Sequence, residues 1–205
     1  MRESVDIQLP EDISDITLEQ SQRYLAIAER DNLSDIDKTK RVVKLFTGLK
    51  TKEVDAMSIT TYEYVVGEIL AALNTKAEFT QIFTLGGIEF GFIPNLDEMT
   101  AGEYIDLTSA GVSSETMHKL MAILFRPIIK NDGFGNYEIE SYTASSEHNE
   151  LMKQAPMNIV NGMLVFFCLL SNELEACITK SMEVKAEEVK SNPVATSLNG
   201  DGTLA

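Results

Sequence analysis

Cysteine and histidine are scarce in this 205-residue chain, which has two of each. Cys168 and Cys177 are nine residues apart on one predicted helix, so they lie roughly 13 Å apart along its axis, too far for a disulfide within it. Neither His118 nor His148 has a cysteine at a metal-ligand spacing, so we expect structural histidines and no metal. The thiols are expected to be free and buried or half-buried, which is typical of a reducing cytoplasm.

Basic residues are also few: 17 Lys and Arg stand against 32 Asp and Glu, which gives a net charge of −15. Such a surface would repel phosphate, so we expect no direct contact with nucleic acid. The charge also favours a basic partner and salt-sensitive association, although solubility alone is a sufficient reason for it.

The usual motifs of catalysis and cofactor binding are missing. The glycines of LGGIEFGF form neither a G-x-G-x-x-G fingerprint nor a phosphate loop. The run DNLSDID has the spaced acids of a calcium loop but lacks its glycine and final glutamate. A cysteine–histidine nucleophile pair would need Cys168, which lies in an apolar run where burial raises the pKa of a thiol. The sequence therefore predicts no cofactor and disfavours an enzyme.

Long apolar runs are missing as well. The start, MRESVDIQLPEDISD, has no apolar signal-peptide core, and the run Met163–Leu170 is too short to cross a bilayer. We expect a soluble cytoplasmic protein without membrane contact. Its 44% hydrophobic content is enough to form one globular core.

Capping signals predict the helices of the first two thirds of the chain. Thr17, Thr60 and Thr100 each precede Glu or Gln by three residues, which fits capping boxes at three helix starts. Another helix is predicted over residues 36–47 with Gly48 as its C-terminal cap, and TKEVDAM predicts a further helical turn. Before the first helix, VDIQLPEDI alternates like a short edge strand.

The clearest β signal is the Gly86-Gly87 pair, which separates FTQIFTL from IEFGFI, two runs rich in aromatic and β-branched residues. It predicts a hairpin over Phe79–Ile93. A lone hairpin is only marginally stable, so YEIESY, Tyr137–Tyr142, is predicted as a third strand. The second hairpin strand has one apolar face, made by Ile88, Phe90 and Phe92.

The last third of the chain predicts more helices. The helix through SSETMHKLMAILFRP is expected to end at Pro127, with Arg126 paired with a buried carboxylate or with helix-end carbonyls. Its buried face is expected to contain Met117, Leu120, Met121 and Leu124. Ser145 or Ser146 can cap a short helix. Pro156 can start the next one, whose apolar run from Ile159 to Leu170 suits a core or an assembly interface.

These elements predict an α+β fold that is mainly helical, with a small antiparallel sheet from Phe79–Ile93 and Tyr137–Tyr142. We expect one domain over residues 1–182 with the hairpin inserted in it. Residues 183–205 are polar and small, which predicts a mobile tail.

Four segments in order carry a family resemblance: GIEFGFIPNLDEMTAGEYIDL, HKLMAILFRPI, YEIESY and APMNIVNGMLVFFCLLSNEL. Together they resemble a family of tailed-bacteriophage proteins, notably of Bacteroidetes hosts including crAss-like phages, whose genes lie among virion and tail morphogenesis genes. The T-x-GEYIDL element also resembles the start of many tail assembly chaperones. The resemblance covers residues 82–174 well and the first eighty loosely, and it carries over no catalytic residue.

The resemblance implies a non-catalytic morphogenesis factor that binds other phage structural proteins in the host cytoplasm, in the manner of a tail assembly chaperone. The alternative is a structural part of the virion, such as a ring or cargo protein of the head–tail connector or tail, and a small enzyme is least favoured. Self-association into a homo-oligomer fits either role. The outer strand of the hairpin is a candidate to extend a partner's sheet. The candidate partner-binding residues are Gly86, Gly87, Phe90, Phe92, Tyr104, Phe166 and Phe167.

Overall fold

The computed structural model describes residues 7–111, 113–143 and 148–169. It combines helices with one four-stranded antiparallel sheet, which confirms the predicted α+β class. The chain divides into two compact units, residues 1–165 and 166–205. The predicted single domain to residue 182 and tail from 183 stay predictions, because residues 170–205 lie outside the described part.

The N-terminal half of the described chain is helical. Thr17 caps the first helix in the predicted capping box, and Gly48 ends the second with a φ of 70°, which favours glycine. The predicted box at Thr60 is wrong, because Ser58 accepts the Thr61 N–H and starts the helix earlier. The helices are α1, Leu18–Ala28; α2, Asp35–Thr47; α3, Thr51–Asp55; and α4, Ile59–Leu73, with a 3₁₀ turn at Ile13–Asp15 before them.

The sheet contains the predicted hairpin. Gly86 and Gly87 have φ angles of 59° and 80°, as its two-residue turn requires. The strands are β1, Ile82–Leu85; β2, Ile88–Phe92; β3, Phe125–Asn131; and β4, Tyr137–Ile139, paired in that order. The first strand is therefore shorter than predicted, and residues 7–10 near the N-terminus form no strand.

The third strand of the sheet is β3, which the sequence does not predict, because Pro127 indicates the end of a helix there. Pro127 lies opposite Phe90 in the register of β2 and β3. Since Ile93 donates its N–H to the Leu124 carbonyl and antiparallel pairs alternate, the Phe90–Pro127 pair is a non-hydrogen-bonded one. The pairing with β2 thus needs no N–H from Pro127, and its carbonyl accepts the Glu140 N–H at 2.8 Å.

The remaining helices follow β2 along the chain. They are α5, Ala101–Ala110; α6, Met117–Leu124; α7, Asn149–Met152; and α8, residues 157–169, with a 3₁₀ turn at Leu96–Glu98. The predicted cap at Thr100 and the predicted buried face of α6 are confirmed. The predicted strand Tyr137–Tyr142 shortens to β4 and pairs with β3, not with the hairpin. Ser145, Ser146 and Cys177 lie outside the described residues, and Cys168 is exposed, so its predicted burial is wrong.

The centre of the core is an aromatic cluster formed by Phe79, Phe83, Phe90, Phe92 and Phe125. Successive ring centroids in this cluster are 5.1–5.7 Å apart, and most pairs meet edge to face, the arrangement that aromatic rings prefer. The cluster joins β1, β2 and the start of β3 into one buried layer.

The N-terminal end of α1 is joined to the segment before α8 by backbone hydrogen bonds. Leu18 donates its N–H to the Ala155 carbonyl at 2.9 Å, and Met157 donates to the Ile16 carbonyl at 2.8 Å. Thr17 and Pro156 form an antiparallel bridge between them. Segments far apart in sequence therefore complete this side of the core together.

Two helix glycines should respond in opposite directions to the same change. A Cβ on Gly162 of α8 would clash with the Glu78 carbonyl oxygen and lie 3.1 Å from Phe79 Cα, whereas one on Gly67 of α4 meets no described atom within 4 Å. Gly162→Ala should therefore destabilise the protein by about 1–3 kcal/mol. Gly67→Ala should stabilise it by about 0.5–1 kcal/mol, because alanine is the better helix former. Urea unfolding measures both, and a shared sign would contradict the close approach at Gly162.

Candidate partner-binding surface

The predicted hairpin residues divide into an exposed turn and a buried body. Gly86 and Gly87 are exposed, and Gly86 lies against the Leu151 side chain of α7. Phe90 and Phe92 are 0% and 3% exposed, so their side chains contact the core. Of the hairpin, the turn and the outer edge of β1 remain as places for a partner, and the role of that edge strand stays a prediction.

The other predicted residues lie elsewhere. Tyr104 is on the surface of α5, 63% exposed, beside Ile105, which is 60% exposed. Phe166 and Phe167 are half-buried, with ring centroids 5.5 Å apart, and belong to the second unit. The structure therefore joins the hairpin residues with one another but does not place Tyr104 in the aromatic cluster.

A network of polar side chains, which we call the Arg126 network, joins three segments of the family resemblance. Arg126 Nη2 of β3 lies 2.7 Å from Glu103 Oε1 of α5, and the two side chains are 12% and 3% exposed. The guanidinium also lies 5.9 Å from the ring centroid of Tyr142, whose hydroxyl donates to Asp106. The predicted pairing of Arg126 with a buried carboxylate is confirmed.

The chemistry of the Arg126 network is structural. Burial, followed by the hydrogen bond to Asp106, raises the pKa of Tyr142 to about 12. The phenol therefore keeps its proton at neutral pH and serves as a donor to Asp106. Together with the ion pair, this bond fixes α5 to β3 and to the segment after β4.

The two histidines contact neighbouring side chains and have structural positions. His118 is buried, and its burial lowers its pKa, with the nearby Lys153 charge adding to the effect. Its Nδ1 lies 3.4 Å from Gln22 Nε2. The ring of His148 meets Phe90 edge to face at 5.5 Å. Both positions fit the predicted structural role.

Neither a metal centre nor a membrane span is found in the part of the chain that the structure describes. No group of three or more His, Cys, Asp or Glu side chains is placed there to hold a metal ion. None of its helices combines the length and the apolar character needed to cross a bilayer.

An apolar groove with two chambers runs along α1, and we call it the α1 groove. The first chamber, of about 260 Å³, opens between α1, α2 and α4, and the second, of about 450 Å³, between α1, α4, α6 and α8. Tyr24 and Leu70 line both chambers, so the two chambers adjoin at these side chains. Apolar side chains dominate the walls: Ile27, Val42, Val66 and Ile69 in the first, and Leu18, Leu25, Met117, Met157 and Val160 in the second.

The α1 groove presents apolar surface to solvent. Leu25 and Leu70 are 37% and 45% exposed, although each lies beside fully buried core residues. Polar groups such as Gln22, Asn74 and Asn161 line parts of the second chamber and can orient a bound chain. Burying one apolar side chain of a partner in such a groove contributes about 1.5–3 kcal/mol.

The sequence reading did not find this groove, although α4 carries a signal for it. Val65, Ile69 and Ala72 form the buried face of α4, yet Leu70, which lines both chambers, is large, apolar and 45% exposed. A helix with more apolar residues than one buried face needs has surface left to cover.

No family model matches this chain, and comparisons with curated proteins and with solved structures give no match either. The resemblance to phage proteins therefore stays a prediction from the quoted segments.

Proposed function

We propose that this protein acts without catalysis by binding another protein, as a chaperone-like factor that holds a structural protein of a tailed phage until it assembles. The observation that supports binding is the α1 groove, which exposes apolar side chains beside buried core residues. The phage context is supported by the order of the four sequence segments.

The α1 residues that line the two chambers run from Leu18 to Ala28, the whole length of that helix. The helix α1, which lines both chambers, has 11 residues and is therefore roughly 16 Å long. That length matches about three turns of a second helix, whose apolar residues at i, i+3, i+4 and i+7 would enter the two chambers. Burying apolar residues of a partner also suits a chaperone, because it covers surface that would otherwise aggregate.

A single substitution in the groove should separate partner binding from folding. Leu70→Gln removes an apolar side chain shared by both chambers, whereas Ile36→Gln makes the same kind of change at a site that is 78% exposed and lines neither chamber. We expect Leu70→Gln to weaken partner binding by about tenfold or more, which corresponds to the loss of one well-packed apolar contact. The readout is recovery of phage structural proteins from infected cells by tagged variants, with circular dichroism to confirm folding.

The control defines the outcomes. Ile36→Gln should recover the partner as the unchanged protein does. Equal losses in both variants would place the binding site elsewhere, and recovery of no phage structural protein by the unchanged protein would refute the proposed function. Stoichiometric presence in purified virions would assign the protein to the particle itself.

A further inference from the structure

Positive charge is concentrated in one part of this acidic chain. Residues 23–52 contain eight of the 17 Lys and Arg residues but only four of the 32 acidic ones, so this segment has a net charge of +4 while the whole chain has −15. The segment covers most of α1, all of α2 and the start of α3. This basic segment forms the α1 and α2 side of the first chamber, whose own lining contains one acidic and one basic residue, Asp35 and Lys38.

Four of these cations surround one shallow depression of about 380 Å³ between α1 and α2. Its lining includes Arg23, Arg30, Arg41 and Lys44. Its apolar floor includes Ile27, which also lines the first chamber of the α1 groove. The depression therefore adjoins the groove across a single side chain, and we call it the basic depression.

Two of the four cations are available to a ligand. Arg30 and Arg41 are exposed, and within the described residues neither forms an ion pair. Arg23 pairs with Glu19 at 2.5 Å on the surface, and Lys44 donates to Thr51 Oγ1 at 2.8 Å. A guanidinium presents paired N–H donors that match a carboxylate, so the two free arginines suit acidic side chains.

Apolar and basic surfaces side by side match a helix with apolar and acidic faces. Nucleic acid fits less well, because a polyanion would meet the strongly acidic remainder of the chain and few phosphates would be neutralised. On the basis of the proposed function, we infer that the partner segment in the α1 groove is an amphipathic helix whose polar face is acidic and contacts Arg30 and Arg41. The net charge of −15 acts against an acidic partner at long range, so the preference depends on contacts with the arginines at the depression.

Two designed peptides test the inference. Both are helices of about 18 residues with the same leucines at i, i+3, i+4 and i+7, and their polar positions are glutamate in one and lysine in the other. We expect the glutamate peptide to bind the full chain about tenfold more tightly than the lysine peptide at low salt, and to weaken as salt rises. Fluorescence anisotropy of labelled peptides measures both affinities.

A charge-matched pair of double variants locates the contact. Arg30→Glu with Arg41→Glu should reverse the preference between the peptides. Lys76→Glu with Lys119→Glu makes the same change of net charge at exposed sites outside the depression, and the preference should remain. Circular dichroism confirms that both variants fold.

Each result decides something definite. The inference is wrong if the lysine peptide binds more tightly than the glutamate peptide. It is also wrong if the glutamate peptide has the same affinity for the Arg30→Glu, Arg41→Glu variant as for the unchanged protein. If both peptides bind with equal affinity and Leu70→Gln abolishes the binding of both, the α1 groove is the binding site but the preference for an acidic helix is wrong. If neither peptide binds, the proposed groove function fails as well. If single-stranded oligo-dT binds and is lost in the arginine variant while the glutamate peptide does not bind, the basic depression is a nucleic-acid site and the inference fails.

Discussion

Replacing Glu103 with alanine should lower the free energy of unfolding by about 3–5 kcal/mol, because it leaves the Arg126 charge buried without a partner. The two side chains are almost fully covered, so water does not compensate for the lost carboxylate. The substitution also removes the acceptor of the Thr100 N–H, since Glu103 Oε2 accepts that bond at 2.5 Å. Urea unfolding followed by circular dichroism measures the loss.

Two comparisons show whether burial is the cause. Glu138→Ala removes the carboxylate of an exposed pair with Lys130 at the same 2.7 Å separation, and should change stability far less because water screens it. Glu103→Leu combined with Arg126→Met replaces both charges and should recover much of the loss, because no buried charge then remains unpaired. If Glu103→Ala is no more harmful than Glu138→Ala, the pair does not hold α5 to the sheet.

Phe90→Ala should cost about 3–5 kcal/mol, the range for removing a fully buried phenylalanine. The ring is 0% exposed and contacts both Phe83 and the His148 ring. Tyr104→Ala, at an exposed position of α5, should change stability by less than about 0.5 kcal/mol. The same urea unfolding measures both substitutions.

These two variants also separate folding from recognition. Both residues were predicted from the sequence to contact a partner. A loss of binding in Phe90→Ala would follow from the loss of structure, whereas a loss in Tyr104→Ala would identify a contact on α5. A stability change below about 1 kcal/mol in Phe90→Ala would place its ring outside the core, by the scale of surface substitutions.

Elements fixed by neighbouring residues could be predicted from the sequence. The hydroxyls of Thr17 and Thr100 accept backbone N–H groups three residues on, and Gly48 adopts a positive φ that other residues avoid. The Gly86-Gly87 turn obeys the same local rule. Each of these signals lies within four residues of the structure that it determines.

Features that depend on residues distant in sequence were predicted only in part or not at all. Whether Pro127 ends a helix or lies within a strand depends on its pairing with Phe90, which the local sequence does not contain. The sequence predicts a buried carboxylate or helix-end carbonyls as the partner of Arg126, but it indicates only a capping box for Glu103. The structure shows that Glu103 does both, because one carboxylate oxygen accepts the Thr100 N–H and the other meets Arg126.

The candidate site shows the same division. The helices that line the α1 groove were largely predicted, yet a groove exists only where their packing leaves Leu25 and Leu70 uncovered. Hydrophobic periodicity identifies the face of a helix that is buried, but it does not show where neighbouring helices stop short of full coverage. The concentration of cations in residues 23–52 was visible in the sequence, and only the fold places it beside the groove.

The bridge between Thr17 and Pro156 can form only late in synthesis, because its two residues are far apart in the chain. α1 is the first of these helices to leave the ribosome, but the backbone groups that join it at Ala155 and Met157 are made on the order of ten seconds later. During that interval the apolar side chains of Ile16 and Leu18, both buried in the finished protein, have no lasting cover. The nascent chain therefore cannot complete this side of its core until almost all of its described residues have been translated.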